Sequence, residues 1–121
     1  MGATATWKED EVATRTQRPL LQIAPMMDVT YKDFRQFLRL LTGEAQLWTE
    51  MCVAKADIVD AERLEGTLGY GPNEHPIVCQ LGGSSPSTLA AAAQIAASWG
   101  YDEVNLNCGC PSDRVAGKGE F

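Results

Sequence analysis

The sequence predicts an α/β domain on a parallel sheet, and three observations carry that prediction. Short apolar runs alternate along the chain with stretches of helical periodicity. No hairpin signal joins one run to the next, so the strands should lie parallel with helices as crossovers. Each run stays apolar to its carboxyl end and then meets Asp28, Glu50, Gln80 or Asn107.

Taken in order, "LLQIAPM" (Leu20 to Met26) reads as a buried strand closed by Pro25. "YKDFRQFLRLL" follows as a helix, with Phe34, Phe37, Leu38 and Leu41 at helical spacing and Thr30 as its N-cap. Gly43 punctuates that helix. "AQLWTEM" is a second strand and "KADIVDAERL" a second helical stretch. The turn-rich "EGTLGYGPNEHP" leads into a third strand, "IVCQL". The glycines of "LGGSSPS" open a long Ala-rich helix from Ser87 to Trp99, Gly100 stops it, and "DEVNLN" is the fourth strand. Such repeats build either a doubly wound sheet or part of a (β/α)8 barrel. No Gly-x-Gly-x-x-Gly follows the first strand, which weighs against a dinucleotide-binding Rossmann unit.

The 45% hydrophobic and 21% charged fractions are those of a soluble globular chain. The longest nearly uncharged stretch, Ile77 to Tyr101, is broken by "GGSSPS" and is too polar to span a membrane. Residues 1–19 lack an apolar signal core and carry Glu9, Asp10 and Glu11, so they are expected to form a mobile leader. The loose myristoylation match of Met1, Gly2 and Thr6 is weak. The expected location is cytoplasmic, with an organelle left open. Four cysteines without an export signal point to free thiols, with Cys52 and Cys79 in the core. A net charge of −6 argues against this segment wrapping nucleic acid by itself, so most basic surface for an RNA partner must lie elsewhere.

The chemistry gathers at "NLNCGCPSDRV", Asn105 to Val115. Residues two apart on a strand share a face, so Asn105 and Asn107 should point one way while Val104 and Leu106 pack on the other. Cys110 follows Gly109 and precedes Pro111, where a tight turn can project a thiol over a flat ring. A Cys108/Cys110 metal site is not expected, because two sulfurs and a single His, His75, fall short of four ligands. Glu50 and Asp28 are read as orienting loops or touching ligand, and Arg114 and Lys118 as solvated or meeting a phosphate. On pattern alone, polar strand ends that simply surface and a structural Cys110 remain open readings.

"APMMDVT", "TEM", "EHPIVCQLGGSSP", "GYDEVNLNCGCPSDRV" and "GKGEF" together resemble the N-terminal half of the tRNA-dihydrouridine synthases. The Pro-Ser-Asp-Arg-Val continuation is similar to the A-type branch. The likeness covers about Leu20 to Phe121 in unbroken order, and several spaced motifs agreeing is far more specific than any one. It implies a flavin-dependent (β/α)8 TIM barrel followed by a helical RNA-binding domain, with this chain supplying about the first four β/α units. It further implies FMN as cofactor, NADPH as reductant, and a D-loop uridine of tRNA as substrate, at positions 20 and 20a for the A-type. By resemblance Cys110 donates the proton to C5 of the uracil, Asn107 contacts the uracil, and Gln80 hydrogen-bonds the flavin. Pro25, Met26 and Met27 match the turn lying against the isoalloxazine. Cys108 departs from the small or apolar residue expected there.

Those residue types suit that chemistry. A thiol with a pKa near ~8.5 is mostly protonated at neutral pH and can act as a general acid. An amide offers both donor and acceptor to a uracil edge, and the target base must leave its stack to arrive. A (β/α)8 barrel takes about 250 residues. The chain is therefore expected to be half a barrel, inactive alone, with apolar edges that favour self-association. Two alternatives stand beside this: an FMN barrel acting on a free pyrimidine, and a non-catalytic half-barrel binding module.

Overall fold

The computed structural model describes residues 19, 21–54 and 66–110. Its elements are α1 (Lys32–Leu41), β1 (Leu47–Val53), β2 (Ile77–Gly82), α2 (Pro86–Ser98) and β3 (Glu103–Leu106). The three strands form one sheet in the order β1-β2-β3, with both pairings parallel. This is the parallel α/β arrangement of a partial barrel. The expected helix at 55–64 and the leader up to residue 18 lie outside the described residues.

The first expected strand is reduced to an extended segment. Gln22 makes one parallel bridge to Gln46, with Ile23 N–H donating to Gln46 O at 2.9 Å and Gln46 N–H to Leu21 O at 3.0 Å. It occupies the strand position beside β1, but Pro25 lacks an N–H and limits further laddering.

On the helix side of the sheet, Leu47, Cys52, Ile77, Cys79 and Leu81 pack with Ala92 and Ala96 of α2. Small alanines let α2 lie close to β2. At its end Gly100 takes a φ of 87°, a left-handed turn that closes a helix without Cβ strain. Among the described residues no helix is long and apolar enough to cross a membrane.

Three expectations are corrected. Thr30 does not cap α1: the N-cap position falls on Tyr31, and the buried Thr30 hydroxyl turns back to the Met26 backbone. On α1, Leu38 packs on the core, but Arg35 is buried while Phe37 and Leu41 are exposed. The cause is a partner far along the chain, since Arg35 Nε meets Glu74 Oε2 at 2.6 Å with both side chains almost wholly buried. Val104 and Leu106, expected to pack, are exposed on β3, where only β2 pairs among the described residues.

Arg35 also donates to Thr30 O (2.8 Å) and Gly69 O (3.1 Å). Glu74 Oε1 accepts from Gln36 Nε2 at 2.8 Å and from Gly71 N–H at 2.7 Å. A Cβ at residue 71 would meet the end of the Gln36 side chain, which would have to swing away from its place beside Glu74. Arg39 reaches the carbonyls of Thr42, Ala45 and Glu74, binding α1 to the starts of β1 and β2. Burial holds the Arg39 pKa below its ordinary value, offset in part by the Glu74 and Glu44 carboxylates.

Candidate active site

The opposite, carboxyl ends of the strands hold the predicted polar residues. Their arrangement starts with an irregularity in β1. Trp48 pairs with Val78 but Met51 pairs with Gln80, so Thr49 and Glu50 face a single residue of β2. This is a β-bulge, which re-aims side chains and sharpens strand twist. It places Met51 across from Gln80 and lets the Thr49 hydroxyl accept the Gln80 backbone N–H at 3.2 Å. On its other side Gln80 pairs directly with Asn105.

A ladder of amides results. Gln80 Nε2 donates to Asn105 Oδ1 at 3.0 Å, and Asn107 Nδ2 donates to Gln80 Oε1 at 3.5 Å. Asn107 Nδ2 also lies 3.4 Å from Met51 Sδ. The backbone of Asn107 is held by its N–H bond to Leu81 O at 2.8 Å. Its Oδ1 accepts from Gly109 N–H at 3.0 Å. That last contact is an Asx-type turn, and it connects the ladder to the residue preceding Cys110. The expected shared face of Asn105 and Asn107 is therefore present, and both amides have partners as buried or half-buried amides require.

A second cluster stands at the end of the first extended segment. Thr30 Oγ1 accepts from Met26 N–H (3.0 Å) and donates to Met26 O (3.1 Å), closing the Met26–Thr30 turn from inside. Asp28 adopts a φ of 61°, a left-handed conformation that aspartate tolerates better than most side chains. Its N–H donates to Glu50 Oε1 at 2.5 Å, which ties the turn to β1. Met26 and Met27 are exposed on this turn, and Pro25 is half-buried before it.

The structure thus joins Gln80 to Asn107 directly, and joins the Met26–Met27 turn to β1 through Glu50. Cys110 is half-buried three positions beyond Asn107, and Cys108 is exposed with its Sγ 3.7 Å from Leu106 O. Cys52 and Cys79 are buried, and the Cys79 pKa is raised, first by its hydrogen bond to Cys52 and then by burial. No three of His, Cys, Asp and Glu stand together as a metal site among the described residues. Arg114 and Lys118 fall outside those residues. The sequence reading missed the roles of Thr49 and Met51, because strict alternation gives no sign of a bulge.

A family model described as dihydrouridine synthase (Dus) matches residues 22–120. A tRNA-dihydrouridine(20/20a) synthase of Xanthomonas campestris is 58% identical over 96 residues, covering 78% of this chain and 28% of its own length. Proteins of the same name from Synechocystis sp. and Yersinia pestis are 53% and 48% identical, covering 78% and 85% of this chain. The chain spans 28% and 30% of the length of those two relatives.

Proposed function

The chain belongs to the dihydrouridine synthase family, and from that premise we propose that its protein reduces uridine to 5,6-dihydrouridine in the D-loop of cytoplasmic tRNA. The relatives' shared name favours positions 20 and 20a. FMN is the proposed cofactor and NADPH the reductant. When bound, FMN supplies the hydride that adds to C6 of the uracil.

The observation that carries this reading is the Gln80–Asn105–Asn107 ladder at the carboxyl ends of parallel strands, with Asn107 holding the turn before Cys110. In barrels of this kind ligands bind at that end. The residues fit a flat ring with a polar edge. Met26 and Met27 offer exposed apolar surface on a turn pinned to β1. Gln80 Nε2 has a second N–H beyond the one given to Asn105.

In the proposed reaction Pro25, Met26 and Met27 support the ring face and Gln80 hydrogen-bonds its edge. Asn107 keeps one lone-pair direction on Oδ1 for the uracil edge, and the N–H that reaches the weakly accepting Met51 sulfur is the one it can turn to the base. Cys110 Sγ–H gives its proton to C5 while C6 gains the hydride, so the C5–C6 double bond is saturated and the thiolate is reprotonated from solvent. A general acid of this kind is typically worth about 10²–10⁴ in rate. The 121 residues alone, at 28–30% of the relatives' length, are proposed neither to hold FMN tightly nor to act on tRNA.

The test uses the full-length protein, NADPH and tRNA from cells lacking their own synthase for these positions. Dihydrouridine at 20 and 20a, mapped by mass spectrometry, is the expected product. FMN-loaded protein that leaves tRNA unchanged, or reduces only free pyrimidine, would sink the proposal.

A further inference from the structure

A carboxamide is nearly symmetric in shape, so half a turn about its last bond exchanges donor for acceptor at little steric cost. Such a group reads a ligand edge only when something else fixes which end is which. For Gln80 the backbone is held by Thr49, but that does not orient the amide. Asn105 stands directly across the parallel register and takes one Nε2 hydrogen at 3.0 Å. The contact on the other end, from Asn107, is longer at 3.5 Å and near the limit of a hydrogen bond. Turning the Gln80 amide over would set its Oε1 against Asn105 Oδ1 and its Nε2 against Asn107 Nδ2, and the Asn107 amide cannot turn with it because Gly109 N–H holds Asn107 Oδ1.

We propose that Asn105 is a positioning residue that fixes the Gln80 carboxamide with its nitrogen toward β3, leaving its second N–H for an acceptor atom on the edge of a heteroaromatic ring. The proposal rests on the reading of Gln80 as a flavin contact. Asn105 itself need not touch the cofactor. It acts through Gln80, and that is what separates it from an ordinary strand residue.

The experiment is a double-substitution cycle on FMN binding by the full-length protein. Asn105→Leu should weaken FMN affinity about fivefold, the scale of one neutral hydrogen bond, and should shift the visible absorption of the bound flavin. Asn105→Asp keeps an acceptor for the Gln80 N–H and should recover affinity to within about twofold. In a Gln80→Leu background, Asn105→Leu should cost nothing further, because non-additivity reports a shared interaction. Thermal midpoints of the apoproteins identify any variant that fails to fold, and the Asp variant then decides.

Equal losses from Asn105→Leu with and without Gln80, or an Asp variant as weak as the Leu one, would overturn the positioning role. Silence of Asn105→Leu in a protein that binds FMN would overturn it alone. A wild-type protein that binds no FMN would remove the functional reading and this inference together.

Discussion

Two polar clusters flank the same short sheet, one centred on Glu74 beside the amino ends and reaching Thr30 through Arg35, the other at the carboxyl ends, and they are built on different terms. At the amino ends the Arg35–Glu74 pair is closed. Every direction of the Arg35 guanidinium given above ends on Glu74, Thr30 or Gly69, and Glu74 is answered by Gln36 and Gly71 as well. At the carboxyl ends Gln80, Asn105 and Asn107 are neutral, are joined in a line, and keep hydrogen-bonding directions to spare. A buried charge pair holds its place only when fully satisfied, whereas an amide ladder can stay partly open for a ligand. Charge at one end fixes α1 to the sheet, and neutral amides at the other are the groups proposed to meet a ligand. Substitutions at the two ends should therefore fail in different currencies, stability below and reaction above.

The widest separation is expected from Cys110→Ala. In the full-length protein it should lower dihydrouridine formation by about 10²–10⁴ while NADPH still reduces the flavin and the thermal midpoint stays near that of wild type. Stopped-flow flavin reduction beside mass-spectrometric tRNA analysis would show this, and unchanged dihydrouridine would remove Cys110 from its role. The counterpart at the amino ends is Glu74→Ala. It strands Arg35 as a buried unpaired cation and should cost about 3–5 kcal/mol of stability, read from denaturant unfolding. A loss below about 1 kcal/mol would mean that the clamp behaves like a surface pair.

The two clusters also differ in how far the sequence announced them. β1, β2, α2 and the polar strand ends follow from periodicity, because alternation and helical spacing are local and Gln80, Asn105 and Asn107 close apolar runs. Arg35 could not be read that way. Its burial depends on Glu74, which lies 39 residues away in "GPNEHP", a stretch whose turn composition says nothing of a carboxylate pointing inward. The apolar spacing of α1 therefore indicated Phe37 and Leu41, which are exposed. The pattern at Thr30 met a similar limit, since the same hydroxyl that can cap a helix can close the turn behind it. The function proposed for the ladder rests on the combination of spaced motifs that resembles the synthases. Asn105 and Asn107 by themselves read equally as surfaced strand ends.

Thr49 lies between the two regimes, at the bulge. Thr49→Val keeps the shape but removes the acceptor for the buried Gln80 N–H and the hydroxyl bond to Glu50 O. An unsatisfied buried donor costs about 1–3 kcal/mol. Because the freed backbone belongs to Gln80, the variant should lose FMN affinity as well as stability. Calorimetry and flavin titration on the same protein would check it. A stability loss with unaltered FMN binding would show that the bulge serves the fold alone.

The smallest effect expected concerns alkaline pH, and it belongs to the amino-end side. Tyr101 donates its hydroxyl to Leu68 O at 2.6 Å, and burial, the largest cause, lifts its pKa well above the ordinary 10.0. A tyrosine whose pKa is raised on folding stays protonated in the native state while the unfolded chain loses its proton. Its stabilising contribution is thus complete below the unfolded pKa and declines as pH rises above about 10. Burial of Tyr70 raises its pKa as well, and Cys79 adds in the same sense, whereas Gln80, Asn105 and Asn107 carry no titrating group. Tyr101→Phe should make the fall in stability above pH ~10 shallower by about 1.4 kcal/mol per pH unit. It should also lower stability at neutral pH by about 1 kcal/mol through loss of the bond to Leu68. Thermal midpoints taken at intervals across that range would resolve the slope. An alkaline arm as steep in the Phe variant as in wild type would mean that the titrating group lies elsewhere, and that the amino-end cluster is less closed to water than its geometry indicates.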